Sequence, residues 1–249
     1  MIPSWHNGDP LEFLKNVRSF GHMEMEITVP DEVPVMTLPN IAFFPQALLP
    51  LHIFEPRYRK MLLDVLGSDR LFAIAGLDQR QLGDPANIEP VHRIAGVGIV
   101  RACQKNDNGT SNLLLQGLCR VEIAGIVSED PYRRIRVRAL SSEPGAPMVE
   151  NERLRTELAR LIGLKLKLES TGAHELTAFL KTVADPETFV DIAAFNLCEN
   201  PRLKQKLLAT LDVHRRIELF SAELRTEISA IRLRRKLQGG LSDDLIANN

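Results

Sequence analysis

The sequence predicts an α+β protein: a small, closed or nearly closed β-barrel with one inserted helix, followed by a helical bundle. Three observations carry that expectation. Six short runs rich in Val, Ile and Leu, separated by Gly, Asp, Asn or Pro, fill residues 33 to 140. A single helical stripe interrupts them. Past the stretch SSEPGAP (141–147), apolar residues recur every three or four positions instead of every two. Six strands of this length suit a small barrel.

The elements follow in order. Residues 1–30 read as an appended segment: Asp9 can cap a short helix with Pro10 at its first position, Gly21 can end it, and Leu11, Leu14 and Val17 share one face. The strand runs are VPVMTL, RLFAIAGL, RIAGVGIVRA, NLLLQGL, CRVEIAGIV and YRRIRVRAL. In the last, Arg134, Arg136 and Arg138 face one way and Ile135, Val137 and Ala139 the other. Gly96 and Gly98 suggest a tightly curved strand, and the DNG at 107–109 a hairpin turn. The interrupting helix starts at Pro56, buries Tyr58, Met61, Leu62 and Val65, and ends at Gly67. SSEPGAP reads as a linker. Beyond it, Leu154, Leu158, Leu161 and Leu168 fit one helix, and Asp185–Pro186 and Asn200–Pro201 each pair a cap with a first-turn proline. Val213, Ile217, Phe220, Leu224, Ile228 and Ile231 stripe a last long helix. The expected division is therefore 1–30 extension, 31–145 barrel, 146–238 bundle and 239–249 flexible tail.

Composition narrows the function. The 31 basic and 32 acidic side chains leave a net charge of −1, without the basic surplus usual in nucleic-acid binders. Three widely spaced cysteines make no disulfide framework or metal knuckle. No apolar run approaches the ~18 residues of a membrane span, and the N-terminal residues lack the apolar core of a signal peptide. A cytoplasmic location without membrane contact is expected.

The common catalytic patterns fail one by one. No Gly-Lys pair exists to build a P-loop. Arg101 stands where a dinucleotide fingerprint beginning at Gly96 needs its third glycine. Ala178 replaces the second histidine of a zinc site opened by His174 and Glu175. No serine sits in a nucleophile elbow, and Cys103 and Cys119 lie on expected strands, where small buried thiols are ordinary. No catalytic residue, metal or cofactor is expected.

The stretch FFPQALLPLHIFEPRYRKML (43–62) is the densest signal. Pro45, Pro50 and Pro56 stiffen an otherwise irregular connection. Leu48, Leu49, Leu51, Ile53 and Phe54 are too many apolar residues for an ordinary loop, so they fill the barrel's end or form an exposed groove for apolar peptide segments. His52, Glu55, Arg57 and Tyr58 read as a buried hydrogen-bond and ion-pair lock at the base of the helix, or as a binding constellation.

This stretch, from Phe44 and Pro45 through Leu49, Pro50, Leu51, His52, Ile53, Phe54, Glu55, Pro56, Arg57 and Tyr58, resembles the signature of the Lon protease N-terminal domain family. NLLLQGLCRVEI (112–123), with Gln116, Gly117 and Arg120, is similar to that family's paired strands. DPETFVDIAAFNL and PRLKQKLLATLDVHRRIELF (185–220) resemble its helical region. The resemblance covers about residues 33 to 235. It implies a PUA-like barrel plus helical bundle and a role in recognising polypeptides. With no P-loop and no room for a peptidase, the expected protein is a stand-alone, non-catalytic polypeptide-binding module, an adaptor in protein quality control. Its expected partners are unfolded or specific client polypeptides and a protease or chaperone, with Phe44, Leu49, Leu51, Phe54 and Tyr58 as contact residues. The alternative is an RNA-binding PUA-like protein using the arginine strand. Only 5% of residues are aromatic, so base-stacking platforms are scarce. An enzyme with an unrecognised site has no positive feature behind it.

Overall fold

Alternating side chains give one sheet two apolar faces, and the fold is built on that division. The structure, a computed structural model, describes residues 28–81, 83, 89–169 and 174–239. Its strands are β1 (Glu32–Leu38), β2 (Leu48–Ile53), β3 (Leu71–Gly76), β4 (Ile94–Lys105), β5 (Ser111–Ser128) and β6 (Arg134–Leu140). The helices are α1 (Pro56–Leu66), α2 (Met148–Glu169), α3 (His174–Thr182), α4 (Pro186–Leu197), α5 (Pro201–Ala209) and α6 (Val213–Gly239). The chain is thus α+β. The helix expected after Asp9 and nearly all of the expected tail lie outside the described residues.

The strands form one mixed sheet in the order β2-β5-β4-β3-β1-β6, and β6 also pairs with β5. Among the described strands only β1 and β3 run parallel. The 18-residue β5 reaches three partners because its ladders with β4 and β6 are broken by register shifts, such as the one between Ile123 and Gly125. Such bulges bend a long strand. NLLLQGL and CRVEIAGIV are therefore one strand instead of two. LLPLHI, expected as an irregular connection, is a strand: among the described residues β2 pairs only with β5, and such an edge position tolerates Pro50, which has no N–H to give a ladder.

Along β3, Leu71, Ala73 and Ala75 join a core with Val33, Val35, Ala95, Val97 and Ile135, made of small side chains. Phe72 and Ile74, on the opposite face, join a larger core with Phe43, Phe44, Met61, Leu158, Phe189 and Phe220. Helices α2, α4 and α6 pack on one another and share that second core with the sheet. The heaviest helix pairing is α2 against α6. Val213, Ile217, Phe220, Leu224 and Ile228 are buried along α6.

Two local expectations change. Ala139 is exposed despite sharing parity with Ile135 and Val137, because the inner core ends before it. Residues 141–147 are pinned: Glu143 N donates to Leu211 O at 3.0 Å, Val213 N to Glu143 O at 2.9 Å, and Asn151 Nδ2 to Pro144 O at 2.8 Å.

Candidate functional site

The residues of the 43–62 stretch divide into a buried half and an exposed half. Ala42–Pro45 crosses the sheet where glycines let backbone touch backbone. A Cβ on Gly96 would lie 2.1 Å from Phe43 O, and one on Gly117 2.0 Å from Phe44 O. Gly96 and Gly98 thus serve close approach, where curvature alone was expected. Gln46, at φ 61°, turns the chain; its N–H donates to Gly117 O at 2.9 Å, and Gly117 N donates to Ala47 O at 2.8 Å. Gln116 Nε2 donates to Gln46 Oε1 at 3.1 Å and Arg101 Nε to Gln116 Oε1 at 2.7 Å. The FPQ turn and the LQG segment of β5 are two halves of one joint.

Beneath the joint lies a buried ionic clasp. Arg120, 2% exposed, reaches from β5; its Nη2 donates to Asp191 Oδ1 at 2.6 Å and its Nε to Leu208 O at 3.0 Å. Arg216, fully buried on α6, donates to the same Oδ1 at 2.5 Å, to Thr210 O at 3.0 Å and to Ser142 Oγ at 2.8 Å. Glu187 stands 3.5 Å from Arg120 and 3.6 Å from Arg216. Burial pulls the Arg216 guanidinium below its usual range, against Asp191. The Arg120 guanidinium also sits over the Phe44 ring, 5.6 Å from its centroid. Four stretches, at Phe44, Arg120, Asp191 and Arg216, meet at this point. Such a clasp is costly to half-dismantle, since removing one partner strands a buried charge, at about 3–5 kcal/mol.

Of the anticipated contact residues, Phe44, Leu49 and Tyr58 lie in the core, Leu51 is half-buried, and Phe54 is 61% exposed. Phe54 stacks with His52 at 6.0 Å between centroids, and His52 Nδ1 pairs with Asn112 Oδ1 at 2.7 Å. Of the expected lock, Glu55, Arg57 and Tyr58 meet at the surface end of the helix with the Tyr58 ring buried beneath, and His52 turns away to Asn112 and Phe54. Arg57, itself exposed, bonds Glu55 at 3.1 Å and Glu89 at 2.8 Å and covers the Tyr58 ring at 4.5 Å. Thr37 N donates to Tyr58 Oη at 3.3 Å, and burial raises the phenol above its usual range.

The arginine strand is largely neutralised. Arg133 pairs with Glu129 and Arg136 with Glu32, at 2.8 and 3.0 Å, and Arg138 pairs with Glu122. Burial pushes all three thiols up, Cys198 to about 11, which disfavours the thiolate a nucleophile needs. Among the described residues no His, Cys, Asp or Glu cluster is placed to hold a metal, and no helix is long and apolar enough to cross a membrane.

A cavity of about 650 Å³ opens where the loop after β1, the end of β3, the start of β4 and helix α5 meet. Its lining includes Ile41, Leu77, Ile94 and Pro201 beside Asp78, His92, Arg202, Gln205 and Lys206. Asp78, buried at its edge, bonds Arg80 Nε at 3.0 Å and Gln81 Nε2 at 2.8 Å. The Arg80 bond, with help from Gln81, holds its carboxyl well below the usual carboxylate range. Burial lowers the His92 imidazole despite Asp78 at 3.8 Å. No sequence pattern pointed to these residues, which come from four separated segments.

Fold and clasp first define a class: an α+β unit in which one mixed sheet and a set of helices close over a shared core. The family follows from comparison. The model of the ATP-dependent protease La (LON) substrate-binding domain matches residues 32–226, and the chain belongs to that family. It is 24% identical over 219 residues to the Lon protease of Syntrophus aciditrophicus, covering 87% of this chain and 28% of that protein. It is 26% identical over 206 residues to the Lon protease of Heliobacterium modesticaldum, covering 83% and 25%. The chain spans about a quarter of the length of the curated relatives it matches. Its fold is similar to the N-terminal domain of the Mycobacterium avium complex Lon protease, at TM-score 0.60 and 18% identity, over 80% of this chain and 98% of that one. A Lon N-terminal domain protein from Xanthomonas campestris aligns at TM-score 0.55 and 18% identity, over 77% and 97%.

Proposed function

We propose that this chain is a non-catalytic polypeptide-binding module, acting as an adaptor that presents unfolded or specific client chains to a protease or chaperone. Membership of a substrate-binding domain family carries the reading. The ring of ladders is read as a PUA-like barrel and the helices as a bundle packed on its outer face, divided near residue 145. Within the 43–62 stretch, Leu51 and Phe54 are the proposed apolar contacts, and Phe44, Leu49 and Tyr58 support them from beneath. An exposed Phe beside an edge strand is the kind of surface an extended apolar segment can cover.

The test is binding of the purified chain to a fluorescent, permanently unfolded polypeptide, without ATP, with folded protein and RNA as competitors. Saturable binding relieved only by unfolded chains is the expected result. An unfolded polypeptide that does not bind at any concentration overturns the proposal.

A further inference from the structure

Around the 650 Å³ cavity, the surface chemistry is lopsided. Among the described residues, four cationic side chains, Arg80, Arg93, Arg202 and Lys206, line it against one carboxylate, Asp78. Asp78 is taken by Arg80, and Arg93 pairs with Glu122. Arg202 and Lys206, both exposed and four residues apart on α5, have no carboxylate partner among the described residues. At this spacing they project from the same face of the helix. Like charges held side by side on a helix cost stability, so a pair aimed at a cavity is a place where a negative group is missing.

The floor is of the opposite character. Ile41, Leu77, Ile94, Pro201 and Ala209 give it an apolar surface, and its volume falls within the roughly 300–1,000 Å³ of ordinary ligand pockets. One acceptor is also unsatisfied. Gln205 spends its Nε2 on Ile94 O at 2.9 Å and leaves Oε1 buried without a partner. A buried acceptor without a donor costs free energy until an N–H reaches it. Gly76 lets this wall close tightly: a Cβ there would lie 2.5 Å from Ile41 O and 3.4 Å from Gln205 Oε1.

From the unpaired cations and the apolar floor we infer that the cavity is the specificity pocket of the module. Its occupant is an acid-flanked apolar peptide segment. One apolar side chain sits on the Ile41–Leu77–Ile94 floor, and neighbouring Asp or Glu side chains meet Arg202 and Lys206. A nucleic-acid strand fits less well, because no Phe, Tyr or Trp among the described residues lines the cavity and base stacking supplies much of single-strand affinity. The inference rests on the polypeptide-binding reading and narrows it to a class of segment.

The experiment uses the whole chain and three labelled synthetic peptides with one central Leu, flanked by Asp/Glu, by Lys/Arg or by Ser/Gly. The acid-flanked peptide is expected to bind about tenfold more tightly than the basic one, a preference that shrinks as salt screens the exposed charges. In the double variant Arg202→Glu/Lys206→Glu the preference reverses, while the melting temperature stays that of the parent. Ala209→Trp, which fills the cavity without touching the charges, weakens all three peptides. Equal affinity of the acidic and basic peptides for the parent chain overturns the inference. So does an acidic preference that survives the double variant in a folded sample, or competition by RNA that outweighs the acidic peptide. If the unfolded polypeptide still binds in any of these cases, the general reading stands and only the pocket assignment falls. If it does not bind either, both fall.

Discussion

The clasp and the cavity occupy neighbouring parts of one interface and use their charges in opposite ways. At the clasp, Arg120, Arg216, Asp191 and Glu187 consume one another, and the guanidiniums spend further donors on Leu208 O, Thr210 O and Ser142 Oγ. Only Asp191 Oδ2 is left buried without a partner. At the cavity, Arg202 and Lys206 face solvent without a carboxylate among the described residues. The stretches that resemble the family reach both regions: Phe44, Arg120, Asp191 and Arg216 meet at the clasp, and Pro201, Arg202, Gln205 and Lys206 line the cavity. What separates the two is how their charges are spent, not which of them carries the resemblance.

The comparison breaks most severely at the clasp. Asp191→Ala leaves two buried guanidiniums facing each other and should cost about 3–5 kcal/mol, read as a fall in the denaturation midpoint. Gly117→Ala drives a Cβ into the Phe44 carbonyl and should cost about 1–3 kcal/mol or more. A Gly117→Ala chain as stable as the parent would refute the tight joint.

Next in size is a pH effect at the cavity's edge. Arg80, with Gln81, holds the folded Asp78 carboxyl below its unfolded value of about 3.9. A depressed carboxyl contributes stability that is complete above the unfolded value and lost as pH falls through the folded one. Stability of the parent should therefore decline on acidification below about pH 4. In Asp78→Asn that part of the decline should be missing. An identical acid profile for the two chains would remove Asp78 from the account. The smallest stability effect is expected at the exposed end of the motif: Phe54→Ser should change stability by no more than about 0.5 kcal/mol, yet weaken binding of an apolar unfolded chain.

How much of this was legible in the sequence depends on whether the cause was local. The caps at Asp185 and Asn200 work as read: Asp185 accepts from Thr188 N, and Asn200 from Arg202 N and Leu203 N. Helix α1 has its stripe of Tyr58, Met61, Leu62 and Val65 and its end at Gly67. Strand β2 was hidden by Pro50, whose missing donor is harmless because β2 is an edge strand among the described residues. Gly96 looked like curvature, because the Phe43 backbone that presses on it is more than fifty residues away. Arg120, Asp191 and Arg216 all lie in stretches that resemble the family, but nothing local in the sequence said that they meet. The cavity had no local signal, since Ile41, Asp78, His92 and Gln205 meet only in three dimensions.

The most direct test of the separation between clasp and cavity is to measure melting temperature and affinity for the acid-flanked peptide on the same samples of parent and Arg202→Glu/Lys206→Glu chains. The account predicts an unchanged melting temperature and affinity weakened about tenfold, some 1.4 kcal/mol. An unchanged affinity in a folded double variant would contradict it, as would a loss of binding that appears only with a loss of fold.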